Sequence, residues 1–118
     1  MNDKLKLFLD KINYDNGSEE CIVSNSEFNF TSPVVSPDGE WVVFVGSSKI
    51  EVAPSKYYYN TDIFVVRLDG SDFTQLTYHA ADDLSPVWSR DGKYIYFISQ
   101  RGSADAVANI WRLNFDQF

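Results

Sequence analysis

Short runs of β-branched and aromatic residues recur along the chain, separated by Gly, Pro, Asp and Ser. The clearest runs are Trp41–Val45, Ile63–Val66 and Tyr94–Ile98. Runs of this composition between turn-forming residues are typical of β-strands. No window keeps the apolar spacing of a helix over several turns, so the pattern predicts an all-β fold.

Asp-Gly pairs lie at the ends of these runs, at Asp38-Gly39, Asp69-Gly70 and Asp91-Gly92. An aspartate accepts a hydrogen bond from the backbone N–H two residues on, and glycine takes the positive φ of a tight hairpin. The three pairs therefore predict hairpin turns, and turn formation explains these aspartates better than catalysis does.

One segment is repeated. Residues Ser32–Val45 return as Ser85–Ile98 with an offset of 53 residues, and seven of the fourteen aligned positions are identical. A period of this length is typical of a propeller blade or a solenoid unit, which cannot bury its own hydrophobic faces. The repeat predicts an architecture more sharply than it predicts a biochemical role.

Extending the alignment predicts four strands per repeat, A to D. The second copy lacks strand D, and the chain begins with a C–D pair. The predicted segments are a half blade at 1–26 (C at Leu7–Leu9, D at Cys21–Val23), a complete blade at 27–79 (Pro33–Ser36, Trp41–Gly46, Asp62–Leu68, Phe73–Thr77) and a partial blade at 80–118 (Pro86–Ser89, Lys93–Ser99, Asn109–Leu113).

The repeated motif resembles the TolB-like, WD-like β-propeller repeat over roughly residues 27–116. It runs Ser-Pro-x-x-Ser-Pro-Asp-Gly, Phe-x-Ser, Asp-Ile-Phe-Val and Asp-Gly-x-x-x-Gln-Leu-Thr. The motif residues are Ser32, Pro33, Asp38 and Gly39 in one copy and Ser85, Pro86, Asp91 and Gly92 in the other. Arg90 stands where the repeat usually has Pro, which we expect to loosen the second turn without removing it.

The resemblance implies four-stranded antiparallel blades in a ring that this chain does not complete. Closed propellers have about four to eight blades, and TolB-like ones have six or more. Open blade edges invite pairing with another chain. We expect either self-association, for instance a trimer that forms a six-bladed ring, or further blades in a longer chain. The compartment stays open: we expect a cytoplasmic location for the sequence as written and a periplasmic one for a fragment of a typical TolB-like protein.

The composition of the chain limits the classes of partner that it can bind. The net charge of −7 argues against nucleic acid or an anionic membrane, because both require a basic surface. The single cysteine, Cys21, excludes a disulfide within the chain and is expected to be a small buried hydrophobe. The sequence shows neither the apolar run of a signal peptide nor a span long enough to cross a membrane.

Strand direction places the B–C loops and D–A connections on one rim. These segments are Lys49–Asn60, Tyr78–Leu84 and Gln100–Ala108, and loops on a rigid scaffold often carry binding. The tyrosines Tyr57, Tyr58 and Tyr59 are candidate binding residues because tyrosine is enriched at interfaces. Packing of these rings on a neighbouring blade is the alternative interpretation.

His79, Asp82 and Asp83 form the ionisable cluster of this rim, and Arg101 follows in the next B–C loop. We assign all four as candidate binding residues. One histidine and two adjacent acids fall short of the three or four protein ligands of a typical zinc site. A solvated loop with an aspartate capping strand A is the simpler explanation. We therefore predict no metal site, no cofactor and no catalytic residue.

The sequence favours a noncatalytic module of TolB-like blades that binds a protein or a peptide. Two alternatives stay open. The blades belong to the propeller of a larger prolyl-oligopeptidase-like hydrolase, or they bind a carbohydrate or another small ligand. Fold alone does not decide, because propellers host many functions.

Overall fold

The computed structural model describes residues 8–12, 19–24, 28–78, 81–102 and 107–115, and every regular element within them is a β-strand. The strands are β1 (Phe8–Ile12), β2 (Glu19–Ser24), β3 (Asn29–Val35), β4 (Trp41–Ala53), β5 (Lys56–Arg67), β6 (Thr74–Gln75), β7 (Asp83–Trp88), β8 (Tyr94–Ser99) and β9 (Asn109–Asn114). The described residues hold no helix that is long and apolar enough to span a membrane.

Three antiparallel sheets follow one another along the chain. The first sheet is β1–β2, the second is β3–β4–β5–β6, and the third is β7–β8–β9. The four and three strands of the larger sheets match the expected blades, which confirms the all-β class. The division at 1–26, 27–79 and 80–118 stays a prediction.

The strands β4 and β5 are much longer than the sequence predicted. Residues Lys49–Asn60 were expected to form an irregular loop, and this is wrong. The two strands stay paired out to Ala53 and Lys56, so the segment is a β-hairpin with a turn at Pro54-Ser55. Ser55 has a φ of 61°, the left-handed conformation that closes this turn.

One face of the β4–β5 pair packs against the third sheet. Because side chains alternate across a strand, every second residue points to this face. The buried cluster consists of Trp41, Val43, Val45, Ile63 and Val65 from the second sheet with Ile95, Phe97 and Phe115 from beyond the repeat boundary. The Phe115 ring contacts both Trp41 and Trp88 edge to face, at centroid distances of 5.1 and 5.0 Å.

The opposite face of the same strand pair is buried as well. Its cluster contains Phe30, Val42, Phe44, Phe64 and Val66, with Ile22 of the first sheet packed against it. The rings of Phe44 and Phe64 stack at 5.8 Å. Since both faces are covered, the run Trp41–Val45 is continuously apolar and does not alternate with polar residues.

The Asp-Gly turns form as predicted. Gly39, Gly70 and Gly92 have φ values of 76°, 89° and 73°. In each turn the aspartate Oδ1 accepts a hydrogen bond from the backbone N–H two residues on, at 2.9–3.0 Å. The Ser71 hydroxyl lowers the pKa of Asp69, and the Ser89 hydroxyl lowers the pKa of Asp91. These hydrogen bonds therefore stabilise the turns at neutral pH and are lost as the pH falls through the lowered pKa values.

Arg90 leaves the second turn unchanged. Ser89 N–H donates to the Tyr94 carbonyl at 2.9 Å, and the equivalent Ser36–Trp41 bond is 2.8 Å. The serine hydroxyls donate to the turn aspartates at 2.7 and 2.6 Å. The expected loosening is absent, because the Ser and Asp side chains hold the turn without help from proline.

The Ser-Pro pairs mark bulges in the first strand of each large sheet. Ser32 and Ser85 have φ values of 56° and 55°, and the strand register shifts at both positions. The first bulge lies close to the third sheet, where Trp88 Nε1 donates to the Val34 carbonyl at 2.8 Å. The motif therefore shapes the contact between sheets.

The third sheet leaves one face open among the described residues. Its outward face carries the exposed side chains of Leu84, Val87, Ile98 and Ile110. The equivalent face of the second sheet is the one that the third sheet covers. The same kind of surface is thus buried in one repeat and exposed in the next.

Gly46 provides a test of the packing between the first two sheets. A Cβ built on Gly46 would lie 2.4 Å from Cε1 of Phe64, whose ring is enclosed by other phenylalanines. We expect Gly46→Ala to lower the free energy of unfolding by about 1–3 kcal/mol through overpacking. Urea denaturation measures the change.

Ser48→Ala, two residues further along the same face, is the matched control and should change stability by less than about 0.5 kcal/mol. A Gly46→Ala variant as stable as the wild type would show that the aromatic cluster is loosely packed.

Candidate functional site at the β4–β5 hairpin

The outer half of the β4–β5 hairpin presents three consecutive tyrosines. Tyr57, Tyr58 and Tyr59 are 48%, 40% and 58% exposed. Val52, near the turn, is also exposed. Exposed aromatic clusters on a rigid element are typical of interaction surfaces. Within the described residues the three rings are therefore accessible to solvent, and their packing on a further blade stays the alternative interpretation.

The three rings lie on two faces of the hairpin. Tyr57 and Tyr59 share a face with Lys49, whose Nζ lies 4.0 Å from the centre of the Tyr57 ring. Tyr58 lies on the other face, where Ile50 is its neighbour across the strand pair. This is a consequence of strand alternation and could not apply to an irregular loop.

A pocket of about 360 Å³ lies on the Tyr58 face. It is open to solvent, and its described lining residues come from the hairpin, from β6 and from the segments that flank the sheet. They are Phe28, Ser48, Ile50, Tyr58, Asn60, Asp62, Gln75 and Tyr78. The lining combines aromatic rings with amide and carboxylate groups, which is the composition expected of a small-ligand pocket.

Asp62 is the acidic residue of this lining, and it is held in place by hydrogen bonds. Asn60 Nδ2 donates to Oδ2 at 2.9 Å, Thr77 Oγ1 donates to Oδ1 at 3.3 Å, and Gln75 Nε2 lies 3.4 Å from Oδ2. Thr77 Oγ1 in turn accepts the Ile63 N–H at 2.9 Å. The Asp-Ile-Phe-Val and Gln-Leu-Thr motifs therefore meet at this carboxylate.

Three of the predicted site residues lie where the third sheet packs against the second, a contact that we call the seam. Asp82 Oδ1 accepts the backbone N–H of Thr61 at 3.2 Å. Asp83 is fully buried, and Arg101 Nη2 donates to its Oδ2. Arg101 Nε also donates to Ser99 Oγ at 3.2 Å. The two adjacent aspartates have separate partners, so they do not act as a pair.

The Asp83–Arg101 ion pair replaces apolar packing found in the preceding repeat. At the 53-residue offset, Asp83 corresponds to Phe30 and Ser99 corresponds to Gly46. Phe30 packs in an aromatic cluster at its position, whereas Asp83 depends on Arg101 at the equivalent one. Aligning the repeats would have shown the Phe-to-Asp difference and identified Asp83 as a buried charge.

The other site predictions have mixed outcomes. His79 lies outside the described residues. Tyr57–Tyr59 lie on a hairpin, whereas Asp82, Asp83 and Arg101 line the seam and make contacts that stabilise the fold. Sequence reasoning missed Phe28, Asn60, Asp62, Gln75 and Tyr78, although the Asp62 and Gln75 motifs were visible. Within the described part of the chain, no three His, Cys, Asp or Glu residues form a group that could hold a metal ion.

Comparison with known proteins supports the fold. No family model matches the chain. TolB from Acinetobacter baumannii superposes with a TM-score of 0.66 at 26% identity, over 88% of this chain and 23% of that protein. A structure described as TolB from Agrobacterium tumefaciens gives a TM-score of 0.67 at 23% identity, over 91% and 37%.

Two peptidases also match. Tricorn protease superposes with a TM-score of 0.63 at 18% identity, over 93% of this chain and 11% of that protein. Dipeptidyl-peptidase 5 from Porphyromonas gingivalis is 36% identical over 70 residues, which is 59% of this chain and 10% of the peptidase. The chain thus spans at most 37% of each of these four proteins.

The fold is therefore that of a β-propeller built from antiparallel blades. Its blades are similar to those of the TolB structures, of which the chain spans 23% and 37%.

The Asp83–Arg101 pair allows a test of the seam. We expect Arg101→Gln to cost about 3 kcal/mol of unfolding free energy, because it leaves a buried carboxylate without its cation. The double variant Asp83→Asn/Arg101→Gln should recover part of that loss, since the charge is removed along with its partner. Thermal and urea unfolding measure both.

Arg112→Gln serves as the control, because Arg112 is exposed on β9 and should tolerate the change within about 0.5 kcal/mol. Equal effects of Arg101→Gln and Arg112→Gln would contradict a structural role for the buried pair.

Proposed function

We propose that this chain contributes blades to a β-propeller that binds a protein or a peptide, and that its own role is noncatalytic. The observation that carries the proposal is the exposed tyrosine hairpin. Tyrosine gives a large amphipathic contact area at low entropic cost and is enriched among the residues that dominate binding energy. A paired hairpin anchored in a core buried on both faces holds these rings in place before a partner arrives.

We infer that blades outside these 118 residues complete the ring. In this proposal they cover the open face of the third sheet, at Leu84, Val87, Ile98 and Ile110, as the third sheet covers the second. Copies of the chain or further blades of a longer polypeptide are the two sources. With either source of the missing blades, the β4–β5 hairpin stays at the rim of the propeller.

A second candidate is that the blades belong to the propeller of a larger peptidase. The 36% identity with dipeptidyl-peptidase 5 over 70 residues favours it, and tricorn protease shares the fold. Both candidates involve a peptide or protein chain at the propeller. They differ in whether a catalytic domain is joined to the blades, which the mass of the native polypeptide and its peptidase activity decide.

The binding proposal is tested by replacing Tyr57, Tyr58 and Tyr59 together with serine. We expect the chain to enrich members of an immobilised hexapeptide library, and the triple variant to lose at least about tenfold in affinity for the enriched peptides, because each ring can contribute more than 1 kcal/mol. Surface plasmon resonance measures the affinities, and circular dichroism checks the fold.

Val35→Ser is the control, since Val35 is an exposed apolar residue at the far end of the second sheet. Peptide binding that survives the triple change would contradict the proposed site. Unfolding of the triple variant would show that the tyrosines are required for packing and would also count against it.

A further inference from the structure

The pocket on the Tyr58 face is acidic and aromatic. Its described lining residues include the rings of Phe28, Tyr58 and Tyr78 and the carboxylate of Asp62, and no lysine or arginine is among them. Lys49 lies on the opposite face of the hairpin, beside Tyr57. Lys56 lies two residues before Tyr58 on the same strand and shares its face, but it is not among the described lining residues.

Aromatic faces and a carboxylate together attract a particular chemical group. The face of a tyrosine or phenylalanine ring carries negative electrostatic potential, so a cation placed over it is stabilised. A carboxylate adds a charge-assisted hydrogen bond. The planar guanidinium of arginine can stack on a ring and bond to oxygen atoms at its edge at the same time.

The polar groups of the pocket are already positioned. Asn60, Gln75 and Thr77 hold the Asp62 carboxylate through amide and hydroxyl donors, and Asp62 is only 6% exposed. The volume of about 360 Å³ lies near the lower end of the range of about 300–1,000 Å³ for small-molecule sites. A single side chain fits such a pocket, whereas a folded surface does not enter it.

We propose that this pocket binds the arginine side chain of a peptide, with the guanidinium between the Tyr58 and Tyr78 rings and directed toward Asp62. This inference rests on the proposed peptide-binding role and specifies the side chain that the peptide presents. The net charge of −7 favours the approach of a basic peptide.

The test compares two capped pentapeptides, acetyl-Gly-Gly-Arg-Gly-Gly-amide and the same peptide with citrulline in place of arginine. Citrulline keeps the shape and most hydrogen-bonding groups of the side chain but carries no charge. In a heteronuclear NMR titration we expect the arginine peptide to shift the amide signals of Tyr58, Asn60 and Gln75. It should bind at least about three-fold more tightly than the citrulline peptide.

Two variants and one matched control locate the binding. Tyr58→Ser and Asp62→Asn should each reduce the arginine preference to less than about two-fold. Val35→Ser should leave it unchanged, because Val35 is exposed at the far end of the second sheet, away from the pocket. Tyr58 is exposed, so its variant keeps the test valid even if Asp62→Asn fails to fold.

Equal affinity for both peptides would overturn the inference, and so would a preference that Tyr58→Ser leaves intact. Absence of signal shifts with either peptide would overturn it as well. If both peptides bind equally and the triple tyrosine variant loses that binding, the proposed function holds and only the arginine pocket fails. Binding of maltotriose at these signals in place of the arginine peptide would assign the pocket to a saccharide and contradict the inference.

Discussion

Burial of the β4–β5 strand pair on both faces is the constraint on which the rest of the structure depends. One face packs on Ile95 and Phe97 of the third sheet and on Phe115, which follows β9, and the other packs among phenylalanines beside the first sheet. A lone sheet of this composition would expose two apolar faces to water at a cost of about 25 cal/mol per Å². Burying both faces of a sheet therefore requires a neighbouring sheet on either side, which is the radial arrangement of a propeller.

The same strand pair connects the core to the candidate site. Its inner half is apolar on both faces, whereas its outer half carries Tyr57–Tyr59 and polar residues, so the rigid core extends outward as a structured arm. Alternation then assigns Tyr58 to the pocket with Asp62 and assigns Tyr57 and Tyr59 to the other face. The chemistry available at the rim is thus set by strand register, and a shift of one residue would exchange the two faces.

The blade order and the turns could be predicted from the sequence because their signals are local. Asp38-Gly39 and its counterparts form turns through hydrogen bonds within a few residues, and the 53-residue repeat shows directly that these turns recur. The long hairpin could not be predicted this way. Residues 49–60 mix polar and aromatic types around Pro54, and their strand structure depends on pairing across the hairpin.

The hydrogen-bond partners of the site residues could not be predicted from local sequence patterns either. Asp62 and Gln75 are distant in sequence and meet only because β5 pairs with β6. Asp83 was expected to lie in a solvated loop, whereas the structure buries it and pairs it with Arg101. Comparing the two repeats position by position, Phe30 with Asp83, is the signal that indicates such a buried charge.

Native-state hydrogen exchange is the measurement that tests the central constraint most directly. Doubly covered strands should open only when the whole domain unfolds, and a strand with an open face should open locally. We expect the amides of Val43, Phe44 and Val65 to exchange most slowly and those of Ile110 and Arg112 on β9 to exchange much faster. Equal protection of β9 and β5, or rapid exchange in β4, would contradict the account.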